Sequence, residues 1–185
     1  MENKRKSCCM SFELHDCYAE DTKVTMTAYE NMDIRDVRVG DRIRGMHDKC
    51  LVVEDVIVGY EAEICHIVAE NGCEIRVTKE HILKIITNEF PEGKDVCAKE
   101  VQAGDVILSC DGAVRITSAQ IEAYGNRVYN FIFQDERMPN FISANGFWAG
   151  DFYAQQINRK QPDKESIEKQ AGGILEELEK FRSGW

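Results

Sequence analysis

DVRVGDRI, Asp36 to Ile43, returns as EVQAGDVI, Glu100 to Ile107, with Gly40-Asp41 laid on Gly104-Asp105 at an offset of 64 residues. The same offset, with no gap, lays Ile57 on Ile121, Tyr60 on Tyr124, Ile64 on Val128 and Ile67 on Phe131. Such constancy marks an internal duplication. It predicts two β subdomains related by a pseudo-two-fold axis, joined in one body because neither half has core enough alone. The Gly-Asp pair is expected to turn the chain ahead of a strand in each half. Glycine accepts positive φ there, and aspartate can bond the turn's backbone.

Outward from the repeat, the chain reads as short β-rich segments. KVTMTAY, LVVEDVIVG, EICHIVA, EIRVT, HILKIIT, VILSCDG, VRITSAQIEAY, RVYNFIF and NFISANGFWA follow one another between turn signals such as Asn71-Gly72, Asp111-Gly112 and Asn145-Gly146. Strands of this length and spacing predict an all-β barrel or sandwich-like body. The composition changes after Asp151: FYAQQINRKQP is polar and reads as a linker, and Pro162-Asp163 makes a reasonable helix start. Ile167, Ala171, Ile174, Leu175, Leu178 and Phe181 then recur at helical spacing, interrupted by Gly172-Gly173. The organisation expected is a leader at 1–16, a β body at 17–151 and a linker with an amphipathic helix at 152–185. That helix packs on its own body, or it holds a second copy or a partner protein.

Composition narrows the function. Hydrophobic residues at 43% and charged residues at 30% fit a folded globular chain. The balance of 23 basic against 33 acidic residues gives a net charge of −10, and the one dense basic run is Lys4-Arg5-Lys6, so nucleic acid is not an expected partner. No apolar run approaches the roughly 20 residues of a membrane helix, and the basic start MENKRKSCCMSFEL lacks the apolar stretch of a signal peptide. The eight cysteines, several inside apolar runs, read as reduced core residues of a cytoplasmic protein rather than a disulfide framework. His47 and His66 read as structural or exposed, and Phe147 and Trp148 as packing.

Cys17, at the point where HDCYAEDTKVTM turns from polar to strand-like, admits three readings: small core residue, metal ligand or nucleophile. Cys8, Cys9 and His15 lie close in sequence, but without a C-x-x-C pair a tetrahedral site is poorly specified, and no metal or other cofactor is expected. His81, closing Thr78-Lys79-Glu80-His81, reads alone as a satisfied histidine at the end of a strand.

Taken together and in order, Cys17 heading CYAEDTKV, the TKEH of VTKEHILKI, RVYNFIF and NFISANGFWAGDF resemble the Hint domain family, which includes inteins, bacterial intein-like domains and the autoprocessing domain of Hedgehog proteins. The resemblance covers about Cys17 to Asp151. It implies a horseshoe-shaped all-β fold of two pseudo-symmetric halves, in keeping with the repeat. It also implies that Cys17 attacks the peptide bond just before it, Asp16–Cys17, in an N-to-S acyl shift that turns the amide into a thioester. In such a domain the scissile amide is twisted against its resonance. The family's histidine, here His81, gives a proton to the departing nitrogen, and Thr78 helps to hold the geometry.

Three slots depart from the family's pattern. Inteins usually carry Asp after the Tyr of the first closing strand, where this chain has Tyr129-Asn130; asparagine cannot act as a base. Pro139 stands where a His often precedes the NF. The usual terminal His-Asn followed by Cys, Ser or Thr reads Gly150-Asp151-Phe152. Without that asparagine there is no facile cyclisation, and without a hydroxyl or thiol at 152 there is no acceptor, so full protein splicing is not expected. What can survive is cleavage after Asp16, whose own carboxylate sits beside the carbonyl to be activated. The site residues implied are Cys17, Thr78, His81, Asn130 and Asp151, in at most a single-turnover self-cleaving domain. The other reading, of a different class, is a catalytically degenerate Hint fold kept as a binding or scaffold module through its carboxyl-terminal helix.

Overall fold

The computed structural model describes residues 17–134 and 138–160. The leader with Asp16, and the amphipathic helix expected over 163–181, lie outside the described residues. In chain order the elements are β1 (Tyr18–Ala19), β2 (Lys23–Thr25), β3 (Asn31–Asp33), β4 (Arg42–Arg44), β5 (Cys50–Ala69), β6 (Glu74–Val77) and β7 (Ile82–Ile86). They continue with β8 (Lys94–Cys97), β9 (Val106–Ser109), β10 (Gly112–Phe133), β11 (Phe141–Ala144), β12 (Phe147–Gly150) and one helix, α1 (Phe152–Lys160). The fold is all-β, as expected.

The duplication reads directly in the hydrogen bonds. One turn of 3₁₀ helix at Ile34–Asp36 is matched by another at Ala98–Glu100. Gly40 (φ 93°) donates its amide to the Val53 carbonyl at 2.8 Å, and Gly104 (φ 99°) donates to that of Ile116 at 2.8 Å. The carboxylates of Asp41 and Asp105 each accept an N–H three residues back, from Arg38 and Gln102, at 2.8 Å. The Gly-Asp pair therefore does in both halves what its residue types predict.

β5 and β10 run antiparallel along most of their length and join the two halves. Their register respects the repeat: Ile57 faces Asn130, and the offset carries that pair to Ile121 and His66. One position of slip separates this from the observed Ile121–Cys65 and Gln120–His66 pairs. The slip sits at a bulge between Ala123 and Asn126, where Gly125 takes φ 63°. Sequence signals split each ribbon strand in two, at Gly59 and at Gly125. Pairing along the ribbon overrides both breaks, because unpaired strand amides and carbonyls would otherwise be left open. The core draws on both halves, from Val24, Ile34, Ile43 and Val53 to Ile107, Ile116, Phe131 and Phe133.

The second difference lies at the carboxyl end. Residues 152–160, read as the start of a linker, form α1. Asp151 caps it: its carboxylate accepts the Ala154 N–H at 2.8 Å, satisfying an amide that the first turn leaves open. Ala154 is buried against Ile82, Phe141 and Trp148. A side chain at position 150 would bring its Cβ to 2.9 Å from that of Ala154, so glycine is what lets the helix sit so close. No helix among the described residues is long and apolar enough to cross a membrane.

Candidate active site

β1 has only two residues, yet it is clasped on both sides. Tyr18 pairs with Val77 of β6 and with Tyr129 of β10. That clasp brings Cys17 to Thr78, 61 positions away in sequence. The Cys17 amide N–H donates to Thr78 Oγ1 at 2.8 Å, and the Thr78 amide donates to the Cys17 carbonyl at 2.9 Å. The first of these bonds bears on the chemistry: the nitrogen that Thr78 holds belongs to the Asp16–Cys17 peptide bond itself.

From Thr78 a tight turn leads to His81, whose amide donates to the Thr78 carbonyl at 3.1 Å. Cys17, Thr78 and His81 are all essentially buried, at 1%, 1% and 0% exposure. The Cys17 side chain packs with Ala19, Ile64 and Val128. Tyr18 lies edge-on to the imidazole, centroids 4.3 Å apart, and its hydroxyl reaches the carbonyls of Gly150 (2.8 Å) and Ala149 (3.1 Å). Thr78 also lines an open cleft of about 280 Å³ together with Glu61, Lys79 and Glu80, so solvent reaches the edge of the site.

Electrostatics follow from burial. Desolvation pulls His81 down to about 3, against a smaller opposing pull from the Gly150 carbonyl, so the ring is neutral at neutral pH. Burial pushes the Tyr18 hydroxyl well up, with Asp151 and Cys17 adding to it. The Asp151 carboxyl is also raised by burial, although N–H groups of Ala154 and Asn140 work against that.

The expected site residues do not all take the same part. Cys17, Thr78 and His81 come together. Asn130 is buried as well, and the β1–β10 register, continued one step past the Tyr18–Tyr129 pair, sets it opposite Cys17. Its Oδ1 accepts the Phe131 amide at 2.8 Å. Asp151 is bound up in structure: one oxygen caps α1, and the other accepts from Asn140 Nδ2 at 3.0 Å. Among the described residues no three potential metal ligands cluster; Cys8, Cys9 and His15, on which the metal reading of Cys17 turned, lie outside them. None of the six described cysteines is disulfide-bonded, but only Cys17 and Cys65 are buried, so the expectation of core cysteines is too broad; Cys50 is exposed.

Sequence reasoning missed two residues. Gln155, buried on α1, reaches His81 Nδ1 at 3.1 Å, the Ile82 amide at 2.9 Å and the Gly150 carbonyl at 3.1 Å. Tyr18 bridges Cys17's strand to the last strand. An aspartate directly before FYAQQ is a helix-start signal, and it would have placed Gln155 one turn further on, facing the same way.

A family model described as the Hint module matches residues 4–128. Among solved structures, a bacterial intein-like domain from Clostridium thermocellum is 18% identical, covering 74% of this chain and 98% of its own, with a TM-score of 0.60. The TvoVMA intein is 16% identical over 74% of this chain and 97% of its own, with a TM-score of 0.62. At these identities the likeness is one of fold. No curated protein matches the chain significantly.

Proposed function

The chain belongs to the Hint family, and from that premise we propose that it is an autoprocessing domain acting on its own Asp16–Cys17 bond. The Cys17 thiolate attacks the Asp16 carbonyl carbon, so a C–S bond forms as the C–N bond breaks. The proton that the thiol gives up ends on the departing nitrogen, and the neutral His81 ring assists by donating its N–H to that nitrogen as the C–N bond breaks. The product is a thioester on Cys17 Sγ beside a free α-amine. Water or an external thiol arriving through the cleft at Thr78 then releases residues 1–16. The reading rests on one observation above all: the scissile amide N–H is held at 2.8 Å by Thr78, one tight turn from His81.

Splicing is not part of the proposal. Position 151 carries no asparagine to cyclise, its aspartate is engaged as a helix cap, and Phe152 offers no nucleophile. Asn130 favours a second reading, a degenerate domain retained as a scaffold that holds a partner or a second copy through its carboxyl-terminal segment, because an amide opposite Cys17 cannot take the thiol proton. Intact mass over a day decides between them, with and without dithiothreitol or hydroxylamine. A thiol-dependent product beginning at Cys17, lost in Cys17→Ala and His81→Ala, is the expected result. Unchanged full-length mass under every condition would leave only the scaffold.

A further inference from the structure

We propose that Gln155, on the helix that follows Asp151, is a positioning residue for His81: it holds the imidazole as the neutral tautomer with its proton on Nε2. The inference deepens the autoprocessing reading, on which the role of His81 as proton donor rests.

Two backbone groups orient the Gln155 amide. Its Oε1 lies 2.9 Å from the Ile82 N–H, which can only donate, and its Nε2 lies 3.1 Å from the Gly150 carbonyl, which can only accept. The amide is thus oriented by groups whose roles cannot change. The same NH₂ lies 3.1 Å from His81 Nδ1. An amide nitrogen has no lone pair to offer, so Nδ1 must be the acceptor and the ring proton must sit on Nε2. The rival acceptor for a proton on Nδ1 is the Gly150 carbonyl, and that oxygen already receives the Tyr18 hydroxyl at 2.8 Å and the Gln155 amide. His81 Nε2 is itself fully buried and has no hydrogen-bond partner among the described residues, so this N–H donor is held without a structural task.

Three features of the carboxyl end then work as one device. Gly150 lacks the Cβ that would collide with Ala154, Asp151 caps the first turn, and Gln155 one turn later reaches the histidine. The Gly-Asp pair stands where a splicing domain would be cut, and here it starts a helix wired to the amino-terminal site.

The test uses the full chain with ¹⁵N-labelled histidine. Long-range ¹H–¹⁵N correlation spectra at neutral pH should show His81 Nδ1 unprotonated and Nε2 protonated. In Gln155→Glu a carboxylate faces Nδ1 and should draw the proton onto it, while thiol-induced cleavage falls about 10²-fold. Gln155→Ala should lose the single tautomer and slow in the same direction. A wild-type ring protonated on Nδ1 would overturn the proposal, as would one tautomer common to wild type and both variants. If the wild type shows the expected tautomer but never cleaves, the autoprocessing reading fails and the assignment to Gln155 stands. Cleavage by a ring protonated on Nδ1 would give the reverse.

Discussion

Acidifying the protein from pH 7 to 4 should destabilise it, in part through His81. The folded state holds this ring at about 3 against an ordinary 6.5, because burial disfavours its charged form. Below 6.5 the unfolded chain binds a proton that the folded chain refuses. His81's contribution to stability is therefore complete above 6.5, and it is lost as pH falls from 6.5 to 3. Each pH unit in that window removes up to about 1.4 kcal/mol, so about 3 kcal/mol is gone by pH 4. That is a large share of the roughly 5–15 kcal/mol that holds a domain folded. Other groups titrate nearby. Asp33, held low by its bond to Lys23, and Glu74, held low by its bond to His66, also lose their contributions on acidification, but Asp33 is partly and Glu74 largely open to solvent, whose screening leaves both counting for little. Asp151, raised by burial, acts with the opposite sign. All three remain in His81→Gln, which keeps a polar side chain that cannot charge. Urea unfolding of wild type and variant at pH 7, 6, 5 and 4 should give curves that diverge by about 1.4 kcal/mol per unit below pH 6. Parallel curves would refute the reasoning, as would an NMR titration of His81 near 6.5.

Thr78→Val should destabilise the fold by about 1–3 kcal/mol in urea, because the Cys17 N–H loses its buried acceptor, and it should slow release of residues 1–16 in the intact-mass assay. Asn130→Asp returns a base to the position opposite Cys17. Thiol-induced cleavage should rise even as burial of the new carboxyl lowers the melting temperature, and an unchanged rate would show that position 130 takes no part. Gly40→Ala and Gly104→Ala should each destabilise by about 1–2 kcal/mol and by similar amounts. Their φ values match, and neither site has an atom within 4 Å of the added methyl, so urea midpoints that differ widely would contradict the equivalence of the halves.

How far the sequence could be read varies from element to element. The Gly-Asp turns and the Asn145-Gly146 hairpin were legible because each depends on a few consecutive residues. Asn145 (φ 48°) and Gly146 (φ 85°) adopt the left-handed pair that an Asn-Gly hairpin favours. The breaks expected at Gly59 and Gly125 were misread, because a glycine lowers local strand preference whereas continuity is decided by the partner strand. α1 was misread for a related reason. FYAQQINRK is short and polar on average, and its start is secured by the Asp151 cap and by Ala154 fitting against Gly150.

The sequence by itself determined the duplication and the all-β class and singled out Cys17, Thr78 and His81 as candidates, since each is carried by local residue chemistry or by a pattern repeated along the chain. Tertiary structure decided what those residues face. Thr78 meets the Cys17 amide nitrogen only because β1 is clasped between β6 and β10, and His81 meets Gln155 only because α1 is capped by Asp151 and packs against the last strand. Hydrogen-bond partners 61 and 74 residues apart leave no trace in sequence spacing; they exist once the strands have closed and water has been excluded from between them.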